Sequence, residues 1–256
     1  ILSAPKSFVE QISNVEPLKQ GIRCDVIADT EVGQYKDANY NERIWNWGNA
    51  KKIKFKGIEE FLLLKFNMEK CKGMTIKKAT LYLPRTEQCV IPVVGVSTIS
   101  TDWEEGKGDG WSSQKPPAAH EKQGEMSKGG VTFNYASYPD KTWTDYKDSN
   151  FFYVVFGEGG SNYGYAKTGY ASQKGDNKNP EYSTVDIPID VAQGLVVEGD
   201  TYGISVSEEK GQRAYCKGFR RVPNPNHFIW AKESGNGAFI IVNGEVADKT
   251  APSEIK

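Results

Sequence analysis

Two indoles stand two residues apart in the segment Arg43-Ile44-Trp45-Asn46-Trp47-Gly48-Asn49. In an extended chain Trp45 and Trp47 share one side and Asn46 takes the other. Indole faces pack against the C–H faces of sugar rings, while nearby polar groups bond the hydroxyls. The chain continues Lys51-Lys52-Ile53-Lys54-Phe55-Lys56, so Lys52, Lys54 and Lys56 are expected to line one strand face as a cationic stripe. Stacking surface beside ammonium groups suits an anionic polysaccharide, whose carboxylates or sulfates need charged donors. A second reading of the same residues folds the indoles onto a core edge and leaves the lysines on a solvated face or guarding an edge strand.

Tyr163 and Tyr165, with Tyr170, lie between Gly159-Gly160 and Gly175. Tyrosines on a glycine-rich loop offer amphipathic contact area and form the second binding candidate. Acidic residues suggest a hard cation. Asp102, Glu104, Glu105 and Asp109 fall in one stretch, and Asp25, Asp29 and Asp37 in another. Calcium takes several oxygens from carboxylates and turn carbonyls, and Asp29, Asp102 and Glu104 are its expected ligands. No EF-hand spacing is present. Catalysis has less to stand on. His120 and His227 are the only histidines, which excludes a three-histidine zinc site and leaves a catalytic triad two candidate bases. The G-x-S-x-G, H-E-x-x-H and G-x-x-x-x-G-K-[ST] motifs are absent, and no carboxylate pair stands out as acid and base. A polysaccharide lyase would need Tyr, Lys, Arg or His converging in a groove, with His120 and His227 the ones to follow.

The elements that must hold these residues are mainly strands. Among 256 residues, Gly at 26 and Met at 3 favour a turn-rich β protein, and 38% hydrophobic with 12% aromatic residues suffices for a core. Lys+Arg at 32 against Asp+Glu at 33 gives no overall drive toward nucleic acid. No apolar run approaches the ~18 residues of a membrane span, so no membrane insertion is expected. Phe8, Ile12 and Val15 have helical spacing, which predicts a short N-terminal helix. After that, alternation dominates. Val26, Ala28, Thr30 and Val32 are expected on one face, with Asp25, Asp29 and Glu31 on the other. Leu62, Leu64, Phe66 and Met68 form the next apolar row, followed by Ala79, Leu81 and Leu83 alternating with Thr80 and Tyr82. The apolar run 151–156 reads as a strand buried on both faces, and Val185/Ile187/Ile189, Tyr202/Ile204/Val206 and Phe239/Ile241 as later strands. A short helix is expected near Asp190–Leu195. About nine or ten strands without alternating helices make an antiparallel β-sandwich, most simply a jelly roll.

Residues 1–22 read as an extension, 23–246 as the sandwich and 247–256 as a linker. Residues 104–150 break the strand rhythm and are expected to be a functional insertion or a wrap. Cys24, Cys71, Cys89 and Cys216 contain no C-x-x-C, and scattered even-numbered cysteines suit one or two disulfides in an oxidising compartment, with the pairing open. Four reduced, buried thiols are the alternative.

Several phrases resemble the DNRLRE-type β-sandwich modules grouped with carbohydrate-binding module family ninety-six. Ala28-Asp29-Thr30-Glu31-Val32, then Asp37-Ala38-Asn39-Tyr40, is similar to that family's opening. Glu60 to Phe66 stands in the place of its second strand, though Glu59 and Glu60 replace an Arg. Ile76 to Leu83, Asp102-Trp103-Glu104-Glu105-Gly106, Val185-Asp186-Ile187, Gly199 to Ile204 and the closing Phe228-Ile229-Trp230-Ala231-Lys232-Glu233 follow in order. The resemblance implies a monomeric, non-catalytic jelly roll that brings a secreted protein to a polysaccharide, with neighbouring modules in the same chain and a structural role for Trp103. Asp248-Lys249-Thr250-Ala251-Pro252-Ser253 also resembles the start of a fibronectin type III module. A structural or adhesive spacer is the other class of function these features fit.

Overall fold

The computed structural model of the chain describes residues 21–37, 41–57, 59–86, 94–109, 127–145, 150–152, 154–155, 161–164, 166–167, 178, 180–197, 201–208 and 227–246. The expected N-terminal helix and C-terminal linker lie outside these residues, as do Cys89, Cys216, His120, Tyr165 and Tyr170.

The chain folds into an antiparallel jelly roll. Eight strands build it: β1 (Ile22–Gly33), β3 (Glu60–Phe66), β4 (Met74–Pro84), β5 (Val94–Thr98), β8 (Ser161–Gly164), β10 (Tyr182–Ile187), β11 (Ile204–Glu208) and β13 (Phe239–Val246). They pair in a nested order, β1 with β13, β3 with β11, β4 with β10 and β5 with β8. Rolled up, this gives one half-sheet ordered β1-β13-β4-β10 and another ordered β3-β11-β5-β8, with β1 also joining β3. Shorter strands are β2 (Lys52–Phe55), β6 (Tyr135–Ser137), β7 (Lys141–Thr142), β9 (Ala166–Lys167) and β12 (His227–Trp230). The β2–β12 ribbon pairs Lys52 to Phe55 with Trp230 to His227. One helix, α1 (Ile189–Gly194), fills the place the sequence reading gave it, and its Gln193 amide bonds Ile76 and Met74 of β4.

Facing residues of the two half-sheets share one core. Leu62 and Leu64 of β3, Val94 and Val96 of β5 and Ile204 and Val206 of β11 meet Ala79, Leu81 and Leu83 of β4, Val185 and Ile187 of β10 and Ile240 and Val242 of β13. The expected alternations in β4 and β10 hold, because one side of each strand faces this core.

A second core lies behind β3, where Phe61 and Leu63 meet Val32, Ile99, Trp103, Val131, Phe133, Trp143 and Phe151. β3 is therefore buried on both faces. The run 151–156, expected to have that role, is not a strand where described: residues 151, 152, 154 and 155 are helical. A short apolar run carries no periodicity of its own, and packing decides its conformation. Here the Phe151 ring sits 5.4 Å from Phe61 and 5.5 Å from Trp143. The described parts of the 104–150 insertion are an ordered cover for this half-sheet, including the β6–β7 hairpin.

Strand β1 departs from simple alternation at one residue. Its pairing with β3 shifts register between Val26 and Ala28, so Ile27 is a bulge residue and is 55% exposed. An extra residue reverses which side each later side chain takes. Cys24 and Val26 face the central core, whereas Ala28 and Val32 pack into the second one. The expectation that Val26 shares a face with Ala28, Thr30 and Val32 fails for this reason. Asp29 and Glu31 are fully buried as a consequence.

Cys24 and Cys71 are buried free thiols with sulfurs 3.5 Å apart, where a disulfide was expected among the four cysteines. Burial, with the Cys71 contact adding to it, pushes the Cys24 thiol up to about 12.

Candidate functional site

The two indoles of the 43–49 segment do not form a surface platform. Trp45 and Trp47 are 1% and 3% exposed and pack in the central core, their ring centroids 6.3 Å apart. The segment is polar by composition, yet it folds inward because Asn46 is itself buried and bonded. Its Nδ2 donates to the carbonyls of Glu105 at 2.7 Å and Val131 at 2.8 Å. Its Oδ1 accepts from Gly48 at 3.2 Å and Gly108 at 2.7 Å. Gly106 has φ +79°, and a Cβ there would stand 2.5 Å from the Asn46 Oδ1. The motif thus fastens the 104–108 loop to the sandwich.

The expected lysine stripe also divides. Lys52 is exposed, with its ammonium 4.7 Å from the Trp230 ring centroid, and Lys56 pairs with Glu59 at 2.7 Å. Lys54 is buried. Its ammonium lies 2.5 Å from Glu60 and its backbone N–H donates to Glu31 at 2.5 Å. Pairing of β2 with β12 puts Lys54 under the ribbon rather than on it. Burial raises Glu31 well above the usual carboxylate range against the pull of Lys54, with Glu60 and Glu42 adding to the rise. Burial also opposes the Lys54 charge, but Glu31 and Glu60 outweigh it and hold the ammonium above its ordinary value. Glu60 thus has a buried lysine partner.

Two residues earlier on β1, Asp29 seeds a second cluster. The carboxylate oxygens of Asp29, Glu105 and Glu233 lie within 4.8 Å of one another. Asp29 comes from the bulged strand, Glu105 from the loop fastened by Asn46, and Glu233 from the 3-10 turn Lys232–Ser234 before β13. The Lys232 N–H donates to Asp29 Oδ2 at 2.8 Å, and the Asp29 N–H donates to Glu105 Oε1 at 2.6 Å. The Lys232 ammonium lies 3.0 Å from Glu105 Oε2 and also contacts Glu233. Asp29 Oδ1 and Glu233 Oε2 are buried without a hydrogen-bond donor. Burial pushes the Asp29 carboxyl up to about 8; the Lys232 N–H opposes this, and the Glu233 and Glu105 charges reinforce it. Burial also raises Glu105, against its bonds to the Asp29 N–H and to Lys232. Of the three expected calcium ligands, Asp29 alone belongs to this cluster. Asp102 pairs with Lys65 at 2.7 Å and Glu104 is exposed. Glu105 stood in the acidic stretch noted from sequence. Glu233 is remote along the chain, and only its place in the closing Lys232-Glu233 phrase marked it.

The two half-sheets differ on their outer faces. Among the described residues no element covers the outer face of β1-β13-β4-β10. Across it Arg23, Phe239 and Tyr82 form a row: the guanidinium lies 3.7 Å from the Phe239 centroid, and Phe239 stacks on Tyr82 at 4.6 Å and 9°. Tyr182 stands edge-on to both rings. Asp25, Thr80, Asp186 and Lys78 flank the row, with Thr80 donating to Asp186 at 2.8 Å. Near the β6–β7 hairpin, Thr101, Asp140, Lys141, Thr142, Trp143 and Asp145 line an open cleft of about 630 Å³. Tyr163 lies on β8 opposite Gly95, with its side chain, like the whole of Tyr165, outside the described residues. No helix among them is long and apolar enough to cross a membrane.

No protein-family model matches the chain, and no curated protein matches it.

Proposed function

We propose that this chain is a non-catalytic carbohydrate-binding module that carries a secreted protein to a polysaccharide. The observation that carries the reading is the outer face of the β1-β13-β4-β10 half-sheet, which no element among the described residues covers. Tyr82 and Tyr182, both half-buried, supply ring surface there, with Phe239 buried against Arg23 and Tyr82, and Arg23, Asp25, Thr80 and Asp186 supply donors and acceptors for hydroxyls. Aromatic rows across strands also stabilise sheets, so the face serves both ends at once. Its charges are mixed, which suits neutral sugars as well as uronates. The polar cleft at Asp140 and Lys141 ranks second, because its one aromatic residue, Trp143, is buried.

Affinity electrophoresis and calorimetry against a panel of neutral and uronate polysaccharides test the proposal. Binding should fall about tenfold or more in the Tyr82→Ala/Tyr182→Ala variant, the loss of ~1.4 kcal/mol expected for a stacking contact. A loss confined instead to Lys141→Ala would move the site to the cleft. Absence of binding to every polysaccharide would overturn the reading in favour of a structural spacer.

A further inference from the structure

We propose that Asp29, Glu105 and Glu233 form a calcium site that joins β1, the 104–108 loop and the turn before β13. The proposal does not depend on glycan binding. Three carboxylates converge on one point, and two oxygens bonded to one ion at ~2.4 Å are at most about 4.8 Å apart. The three residues meet that limit. A second, separate observation points to a ligand: Asp29 is fully buried, yet its Oδ1 has no hydrogen-bond donor, and neither does the buried Oε2 of Glu233. Buried acceptors left without donors are uncommon in folded proteins, and an unfilled ion position is one of their accepted causes.

The remaining oxygens are held for the purpose. Asp29 Oδ2 is fixed by the Lys232 N–H and Glu105 Oε1 by the Asp29 N–H, which orients the acids as outer contacts orient metal ligands. Asn46 holds the Glu105 backbone. With all three acids ionised, three carboxylates against one ammonium leave two negative charges, which the two positive charges of a calcium ion balance. The Lys232 side chain, 29% exposed on a flexible stem, occupies the mouth of the cluster and must swing toward solvent when the ion enters. Lys232 is therefore a competitor for calcium, and Glu105 and Glu233, 20% and 17% exposed, give the ion a route from solution.

The test is calcium titration of the full chain after treatment with a chelator, read by calorimetry and by thermal melting. One calcium per chain and a raised melting temperature are expected. Asp29→Asn and Glu233→Gln should each weaken binding about tenfold or more and abolish the melting shift. Should Asp29→Asn impair folding, Glu105→Gln asks the same question at a partly exposed residue. Lys232→Met, which removes the competing ammonium and keeps the stem, should tighten binding. No heat and no melting shift in the unaltered chain would overturn the proposal. So would calcium binding undiminished in the Glu105→Gln and Glu233→Gln variants.

Discussion

Asp29 and Glu31 stand two residues apart on one strand, and each heads a cluster in which a lysine meets several carboxylates. The local design is repeated: in both, the lysine's own backbone N–H donates to the β1 carboxylate, and its ammonium pairs with a neighbouring acid. What differs is the lid. The β2–β12 ribbon seals the Glu31 cluster, leaving the Lys54 and Glu60 side chains 6% and 4% exposed. The Asp29 cluster ends in a short turn, and its lysine is 29% exposed. A sealed cluster settles its charge by protonation and pairing within itself. An open one can exchange its counter-ion with solution. The same chemistry thus becomes structural in one place and a candidate site in the other.

The sharpest way to break this contrast is to remove each lysine. Lys54→Met leaves Glu60 buried without its partner and should cost about 3–5 kcal/mol, whereas Lys232→Met should cost no more than ~1 kcal/mol. Urea unfolding of the two variants measures both, and equal losses would erase the distinction between sealed and open. A smaller effect is expected at Asn46. Asn46→Ala removes the partner of two carbonyls and two N–H groups; at about 1–3 kcal/mol for each one that water does not reach in the space the amide leaves, a net loss of at least ~2 kcal/mol should accompany weaker calcium binding. A loss of stability with calcium affinity intact would separate the loop from the site. A separate test is pH. The Asp29 carboxyl sits at about 8 in the fold against an ordinary 3.8, so between those values the folded chain holds a proton that the unfolded chain has released. Stability of the chelated protein should therefore fall as pH rises through this window. Glu31, also raised, acts with the same sign. Asp29→Asn should flatten the profile measured by denaturant unfolding, and a profile that rises with pH would contradict the burial of both acids.

Much of the architecture was legible because most strands have one dry side. Ala79, Leu81 and Leu83, or Val185 and Ile187, alternate for that reason, and a run of such strands without crossover helices already implied a jelly roll. The sites were harder to read. A bulge at Ile27 has no sequence period, yet it sends Asp29 and Glu31 inward. Trp45 and Trp47 looked exposed because their neighbours are polar, but those neighbours are buried and bonded: Asn46 spends its side chain on the carbonyls and N–H groups of a distant loop. Lys54 alternates like a surface residue and is covered by β12, whose pairing partner in β2 lies far off in the chain. Glu233 joins Asp29 only through the closure of the roll. Local pattern reports which side of a strand is dry; it does not report what a remote segment brings to the other side.

The nested pairing also bears on how the chain reaches this state. Cys24 of the first strand lies opposite Ile240 of the last, so the outermost pair closes a loop of roughly 200 residues, a costly contact to form early. During synthesis β1 emerges long before β13 exists to cover its edge. β1 can pair early along one edge with β3, where Gly33 stands opposite Glu60, but its other edge stays open to competing partners until the last strand arrives. The strand that carries both acid clusters is thus closed on its second edge last, and the cation site, which takes Glu233 from the turn before β13, is complete only when that closure is.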